Sequence, residues 1–369
     1  MRMMNKENAQ KILKEWPGLN FVKFVCVAVM VFVHSHLILI TDRSYSIADT
    51  SGFFYGITSK TMFVGLFLFI LPIIAGAIFR MDLGARIVNG RLIDYSFKKV
   101  VRIAIFLTLA GFFMNFLTAN IKYLFSWNIL QLMALSLIIV VALLKFISIR
   151  AVFLLGLVTL IAAESLRNFL SDSHFYFINI LIGGDKGFIF WPFFPWFSVI
   201  VFGFLFAHLY LKYEDNIKFR IGALVAGVAF LAIAAFRGEI SPYLDPEYVW
   251  GASLFQPKIG LVLASMGLFS VLVVVANYVF SNVQLKKYGI VNSYSKGILW
   301  IYVIQMFANY KLAALVKRFF PIDGPSVAYF ILPVSMLLLS WLIGAATIKL
   351  LQEKLIVVRF KKLDEKSLL

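Results

Sequence analysis

The sequence predicts an all-α, polytopic membrane fold with about ten transmembrane helices and both termini on the cytoplasmic side. Three observations lead there: an apolar composition, ten apolar runs of membrane-spanning length, and an uneven sharing of basic residues between alternate loops. Hydrophobic residues make up 62% of the 369 and charged residues 14%, with a mean hydropathy of +0.90. A soluble domain needs a polar coat that this composition does not supply. Lipid must therefore solvate most of the surface.

A helix crossing a hydrocarbon core of about 30 Å, at about 1.5 Å per residue, needs about 20 mostly apolar residues. Runs at 19–40, 61–79, 100–117, 127–144, 151–169, 190–211, 221–236, 259–280, 297–316 and 328–351 meet that need, the seventh being short. Of the 35 Lys and Arg, 25 fall on one side of this arrangement and 10 on the other. Basic loops stay in the cytoplasm, so an even number of spans places both ends there. A bacterial inner (cytoplasmic) membrane is the expected location. The expected organisation is a cytoplasmic amphipathic segment at 1–18, a ten-helix domain at 19–351 and a basic cytoplasmic tail at 352–369. Residues 8–16 read as lying on the membrane surface. The longest outer loops are 41–60, 168–189 and 237–258.

The net charge of +17 does not point to nucleic acid, because the basic residues sit in short clusters between apolar spans, as orientation requires. The one cysteine, Cys26, excludes a disulfide framework and any multi-thiolate metal site. Within an apolar run it reads as a buried structural thiol. No small-residue cleavage site follows the first run, which reads as a retained helix rather than a signal peptide.

The first run holds Lys23 and His34, eleven residues apart. Eleven steps of about 100° come within about 20° of three full turns, so the two share one helix face about 16 Å apart. An ionisable group at the depth of His34 is costly and faces the bundle interior or a wet cavity. Catalysis and a simple helix-interface hydrogen bond are both open to it. His36 points to nearly the opposite side. At the start of the third run, Lys98, Lys99 and Arg102 cluster within five residues. They either enforce topology or grip phosphates, to which Arg offers a fork and Lys a point charge. Near the outer end of the fifth run, Glu164 and Arg167 are three apart, as an ion pair or an acceptor-binding pair would be. Trp191, Pro192, Pro195 and Trp196 mark the entry to the sixth run, as an interfacial aromatic belt or a sugar-stacking surface.

Together these features resemble the transmembrane acyltransferase superfamily, including its acyltransferase-3 and heparan-α-glucosaminide N-acetyltransferase-like groups. Leu19, Asn20, Lys23 and His34 occupy the places of that family's leucine-aspartate, arginine and histidine in its first helix. Lys98, Lys99, Arg102 and Ile103 are similar to its paired-arginine, arginine-isoleucine pattern. Leu66 to Gly76 resembles its second helix, Ala110-Gly111 to Asn115 the end of its third, and Trp127 to Gln131 the leucine-glutamine opening of its fourth. Phe193-Phe-Pro195-Trp196 to Gly203 is similar to a proline-tryptophan signature of the glucosaminide branch. Tyr294-Ser295 to Gln305 resembles a late motif that usually ends in histidine. Three positions depart: Asn20 stands for aspartate, Lys23 for arginine and Gln305 for the late histidine. Lys keeps the charge of Arg without its bidentate geometry, and Gln305 hydrogen-bonds without titrating.

The resemblance implies an acyl-CoA-dependent transfer, with acetyl-CoA as donor and no metal. Lys98, Lys99 and Arg102, with Lys23, would hold the donor from the cytoplasm, and His34 would act as the base. Glu164, Arg167, Trp196, Gln131 and Gln305 are the acceptor-side candidates. The acceptor would be a hydroxyl or amine of an envelope glycan or glycolipid on the far side. Membrane lipid is the other expected partner, and an oligomer is left open. The rival readings are a lipid or glycan transporter or flippase, against which stand the lack of matching halves and of paired broken helices, and a non-catalytic membrane scaffold.

Overall fold

The computed structural model describes residues 16–41, 63–82, 86–88, 91–93, 97–118, 124–170, 176–183, 191–213, 216–238, 257–280, 289–319 and 332–350. Eleven helices account for nearly all of them. They are α1 (Pro17–Thr41), α2 (Phe63–Asp82), α3 (Phe97–Thr118), α4 (Ile129–Phe146), α5 (Ile149–Leu170), α6 (Tyr176–Ile182), α7 (Phe193–Tyr213), α8 (Ile217–Phe236), α9 (Ile259–Phe280), α10 (Gly289–Phe319) and α11 (Leu332–Leu350). Between α2 and α3 a small antiparallel hairpin pairs β1 (Arg86–Val88) with β2 (Arg91–Ile93). The all-α expectation holds, with this hairpin as a local addition that no apolar run announces.

Each of the ten predicted runs lands on a helix. Seven of the helices, α3, α4, α5, α7, α8, α9 and α11, are long and apolar enough to cross a membrane. The other three runs lie on α1, α2 and α10. Exposed apolar side chains line these helices: Ile105, Leu109 and Phe116 on α3, Ile221, Val225 and Val228 on α8, Leu338 and Leu342 on α11. A lipid surround accounts for such faces. The loops 41–60 and 237–258 fall largely outside the described residues, as do half of 168–189, residues 1–15 and 351–369, and the side chain of His36.

Helix ends are fixed locally. Pro17 opens α1 at a position where its missing N–H is no loss. Asn128 caps α4 and forms a reciprocal capping box with Gln131. The short seventh run is lengthened by one turn, because Asn216 caps a helix that already begins at Ile217. The ninth begins at Gly289 rather than 297, and within its first turns the Ser293 hydroxyl bonds back to the Gly289 carbonyl.

The chain divides into two compact units, Met1–Trp16 with Tyr55–Asn277, and Pro17–Phe54 with Tyr278–Leu369. In the first, α7 is the central helix, packed against α2, α4 and α5. At its crossing with α2, a Cβ added to Gly76 would lie 2.0 Å from the Ile200 carbonyl oxygen, and one added to Gly203 would lie 2.0 Å from that of Ile73. Backbone thus rests on backbone, the small-residue packing that lets helices associate where lipid removes the hydrophobic drive. Gly227 and Gly267 make a similar approach between α8 and α9. Trp16, expected at the membrane surface, is instead buried, its ring stacked 4.0 Å from Tyr210 of α7. In the second unit, α1 packs against α10, and α10 meets α11 where Gly297 faces Gly344.

Candidate functional site

The α1–α10 pair holds the site histidine. Phe21 packs on Phe280 and Phe24 on Tyr294, with ring centroids 4.5 and 5.3 Å apart. Tyr294 then donates its hydroxyl hydrogen to the Leu337 carbonyl of α11 at 2.5 Å. Polar contacts follow along the seam. The Ser295 hydroxyl donates to Asn20 Oδ1 at 2.8 Å, and further along, Gln305 Nε2 lies 2.7 Å from His34 Nδ1. Residue numbers rise together on the two helices, so α1 and α10 run parallel. An arrangement in which the first and ninth of ten spans point the same way requires this direction.

His34 is half-buried, and the ring of Tyr302 lies 6.4 Å from it. Behind it the amides continue: Asn309 Nδ2 lies 2.9 Å from Gln305 Oε1, and Asn309 Oδ1 lies 2.8 Å from the Ser35 hydroxyl. Ser35 Oγ is also 2.8 Å from the Val31 carbonyl, one turn back along α1. Ser35, Gln305 and Asn309 are all fully buried. A buried polar chain of this kind is stable only when every group finds a partner. Here each amide has one on both ends.

Of the predicted site residues, Lys23 lies half-buried on the same continuous helix as His34. Cys26 is buried and free, as a structural thiol should be. Lys98, Lys99 and Arg102 are exposed in the first two turns of α3, whose first turn contains no acidic residue. Gln131, an acceptor-side candidate, has its amide committed elsewhere: Oε1 accepts from the Asn128 N–H at 3.1 Å while Nε2 reaches the Ser126 carbonyl at 3.4 Å. It lies over Gly111, where an added Cβ would come 2.7 Å from Gln131 Oε1. Asn128 Nδ2 donates to Asn115 Oδ1 and to the Gly111 carbonyl. Two of the sequence motifs therefore meet in one knot between α3 and α4.

Glu164 and Arg167 do not form the expected pair. Glu164 is exposed, and Arg167 Nε donates to the Ile182 carbonyl at 3.1 Å. Carbonyls at a helix C-terminus lack intrahelical donors and carry the negative end of the dipole, so the end of α6 competes successfully for the guanidinium. Trp196 is buried among other side chains rather than facing outward: it is 1% exposed, with Trp191 4.5 Å from its ring. The Trp127 indole N–H donates to the Trp191 carbonyl, tying the start of α4 to that of α7. Neither flat face of Trp196 is open for stacking on a sugar. Asn309 and Ser35 belong to none of the sequence motifs. The signal that points to Asn309 is the i, i+4 spacing of two amides, Gln305 and Asn309, within the apolar run 297–316.

An all-helical membrane protein with a buried amide chain ending on a half-buried histidine is a class open to chemistry within the bilayer. The family is shown by comparison: the catalytic-domain model of heparan-alpha-glucosaminide N-acetyltransferase matches residues 17–241, more than half of the chain. The protein belongs to this family of transmembrane acyltransferases. The match includes His34, Lys98, Lys99 and Arg102 but ends before Gln305. No curated protein and no solved structure matches the chain.

Proposed function

We propose that this protein transfers an acetyl group from cytoplasmic acetyl-CoA to an amine or hydroxyl of an envelope glycan or glycolipid, with His34 as the base. The observation that supports this most is the placement of His34: half-buried in a helix seam, with its Nδ1 held by Gln305. His34 Nε2 takes the proton of the attacking N–H or O–H as the new bond to the acetyl carbon forms. The carbon–sulfur bond breaks, and the CoA thiolate leaves with that proton or one from water.

The donor's phosphates are assigned to Lys98, Lys99 and Arg102. Three cations at the N-terminus of α3 add positive charge where the helix dipole is already positive, an arrangement that an anion relieves. Both chain ends are placed in the cytoplasm on the charge count, so this mouth faces the donor.

The test is transfer of labelled acetyl from CoA to envelope glycans in membranes, with CoA binding measured in parallel. His34→Ala is expected to lower the rate by about 10²–10⁴-fold, the worth of a positioned general base, while CoA still binds. Replacing Lys98, Lys99 and Arg102 together by Gln is expected to weaken CoA binding more than about tenfold, the loss of a few charge-assisted contacts. Normal transfer by the His34 variant would end the proposal. A wild-type protein that neither binds CoA nor transfers acetyl would favour the transporter reading.

A further inference from the structure

The buried chain behind His34 has a direction, and that direction decides which imidazole nitrogen carries the proton. Amide oxygen and nitrogen are nearly interchangeable in shape, so two polarities fit the same four contacts. In one, Gln305 Nε2 donates to His34 Nδ1, Asn309 Nδ2 donates to Gln305 Oε1, and the Ser35 hydroxyl faces two acceptors, Asn309 Oδ1 and the Val31 carbonyl, both at 2.8 Å. Ser35 has a single hydrogen. One of those short oxygen–oxygen contacts would then be between lone pairs, in a place buried from water, at the cost of an unmade buried hydrogen bond.

Turning both amides end for end removes the conflict without moving a heavy-atom position. Ser35 gives its one hydrogen to Val31, and Asn309 donates to the Ser35 oxygen. Gln305 donates to Asn309, and Gln305 Oε1 accepts from the imidazole. Every contact then has one donor and one acceptor.

We propose that Ser35, Asn309 and Gln305 form a one-way hydrogen-bond relay that keeps the His34 proton on Nδ1 and leaves the Nε2 lone pair free. The three act as positioning residues, since none needs to touch substrate. Their effect matches that of any second partner fixing a histidine's tautomer. Gln305 thereby contributes orientation without titrating. This inference rests on the acetyl-transfer reading only for its consequence in rate; the tautomer itself is independent of it.

The protein in lipid nanodiscs, with ¹⁵N-labelled histidine, gives a direct readout. Four histidines are present, and the His34 signals are identified by their loss in His34→Ala. The expected result is one-bond N–H coupling at Nδ1 of neutral His34. Coupling at Nε2 instead overturns the relay. Gln305→Met, close in size but with only a weak thioether acceptor, is expected to move the proton to Nε2 and to lower kcat about 10²-fold or more with little change in KM. Gln305→Glu, which still offers the imidazole an acceptor, is expected to keep the proton on Nδ1. An unchanged tautomer and rate in Gln305→Met also overturns the relay. The expected tautomers in a wild-type protein with no acetyl transfer would uphold the relay while removing the proposed reaction.

Discussion

The α2–α7 crossing and the α1–α10 seam solve the same problem, holding two helices together, by opposite means. At the first, Gly76 and Gly203 let backbones touch, each added Cβ meeting a main-chain carbonyl of the facing helix at 2.0 Å. At the second, Asn20, Ser295, His34, Gln305, Asn309 and Ser35 hold the helices through side-chain hydrogen bonds. Both contacts join two motifs that lie far apart in the chain. A dry contact tolerates no added volume but asks nothing of protonation. A polar seam tolerates changes of size better, yet its value depends on which atoms donate. The lesson is that family motifs in this fold are of two kinds, those that set the distance between helices and those that set the state of a reactive group.

The sharpest way to break the comparison is to place volume in the dry crossing. Gly76→Leu puts a side chain where the Ile200 carbonyl already stands, and the helices can only part. The expected loss is about 3 kcal/mol or more, seen as failure to purify as a single folded species or as a large fall in the thermal transition. A folded Gly76→Leu protein of unchanged stability would show that the crossing is not close-packed.

A smaller effect is expected from the seam. Ser295→Ala removes the hydrogen bond to Asn20, worth about 0.5–1.5 kcal/mol, and should lower thermal stability slightly while the seam's aromatic contacts persist. A loss as large as that of Gly76→Leu would mean that the seam, too, is held by its smallest contacts.

The smallest effect belongs to Gly222 on α8, around which an added Cβ meets no atom within 4 Å. Gly222→Ala should leave stability unchanged or raise it by up to about 1 kcal/mol through helix propensity. A clear destabilisation there would reveal a helix contact on a face that is open in this chain.

Much of the fold is legible in the sequence because its causes are local. Hydropathy is summed over neighbours, so all ten apolar runs fall on helices, and helical periodicity alone is enough to put Lys23 and His34 on one face. The burial of Cys26 follows from its apolar neighbours. Interactions between groups distant in sequence are harder to read. Arg167 has Glu164 three residues away, yet it bonds the Ile182 carbonyl because α6 ends there and leaves acceptors unpaired. Trp196 has the sequence of an interfacial residue, but the fold turns it inward.

Gln305 shows where sequence reasoning stops. The chain by itself determined that a non-titrating amide stands at 305, with another amide four residues on, in one of its ten apolar runs. Only the tertiary structure decided that these amides meet His34 and Ser35, which lie about 270 residues earlier. Helix formation is governed by groups within a few residues, whereas the choice of partner across a seam depends on which faces the whole bundle brings into contact. A hydrogen bond acts over about 3 Å, a distance that has no counterpart in sequence separation.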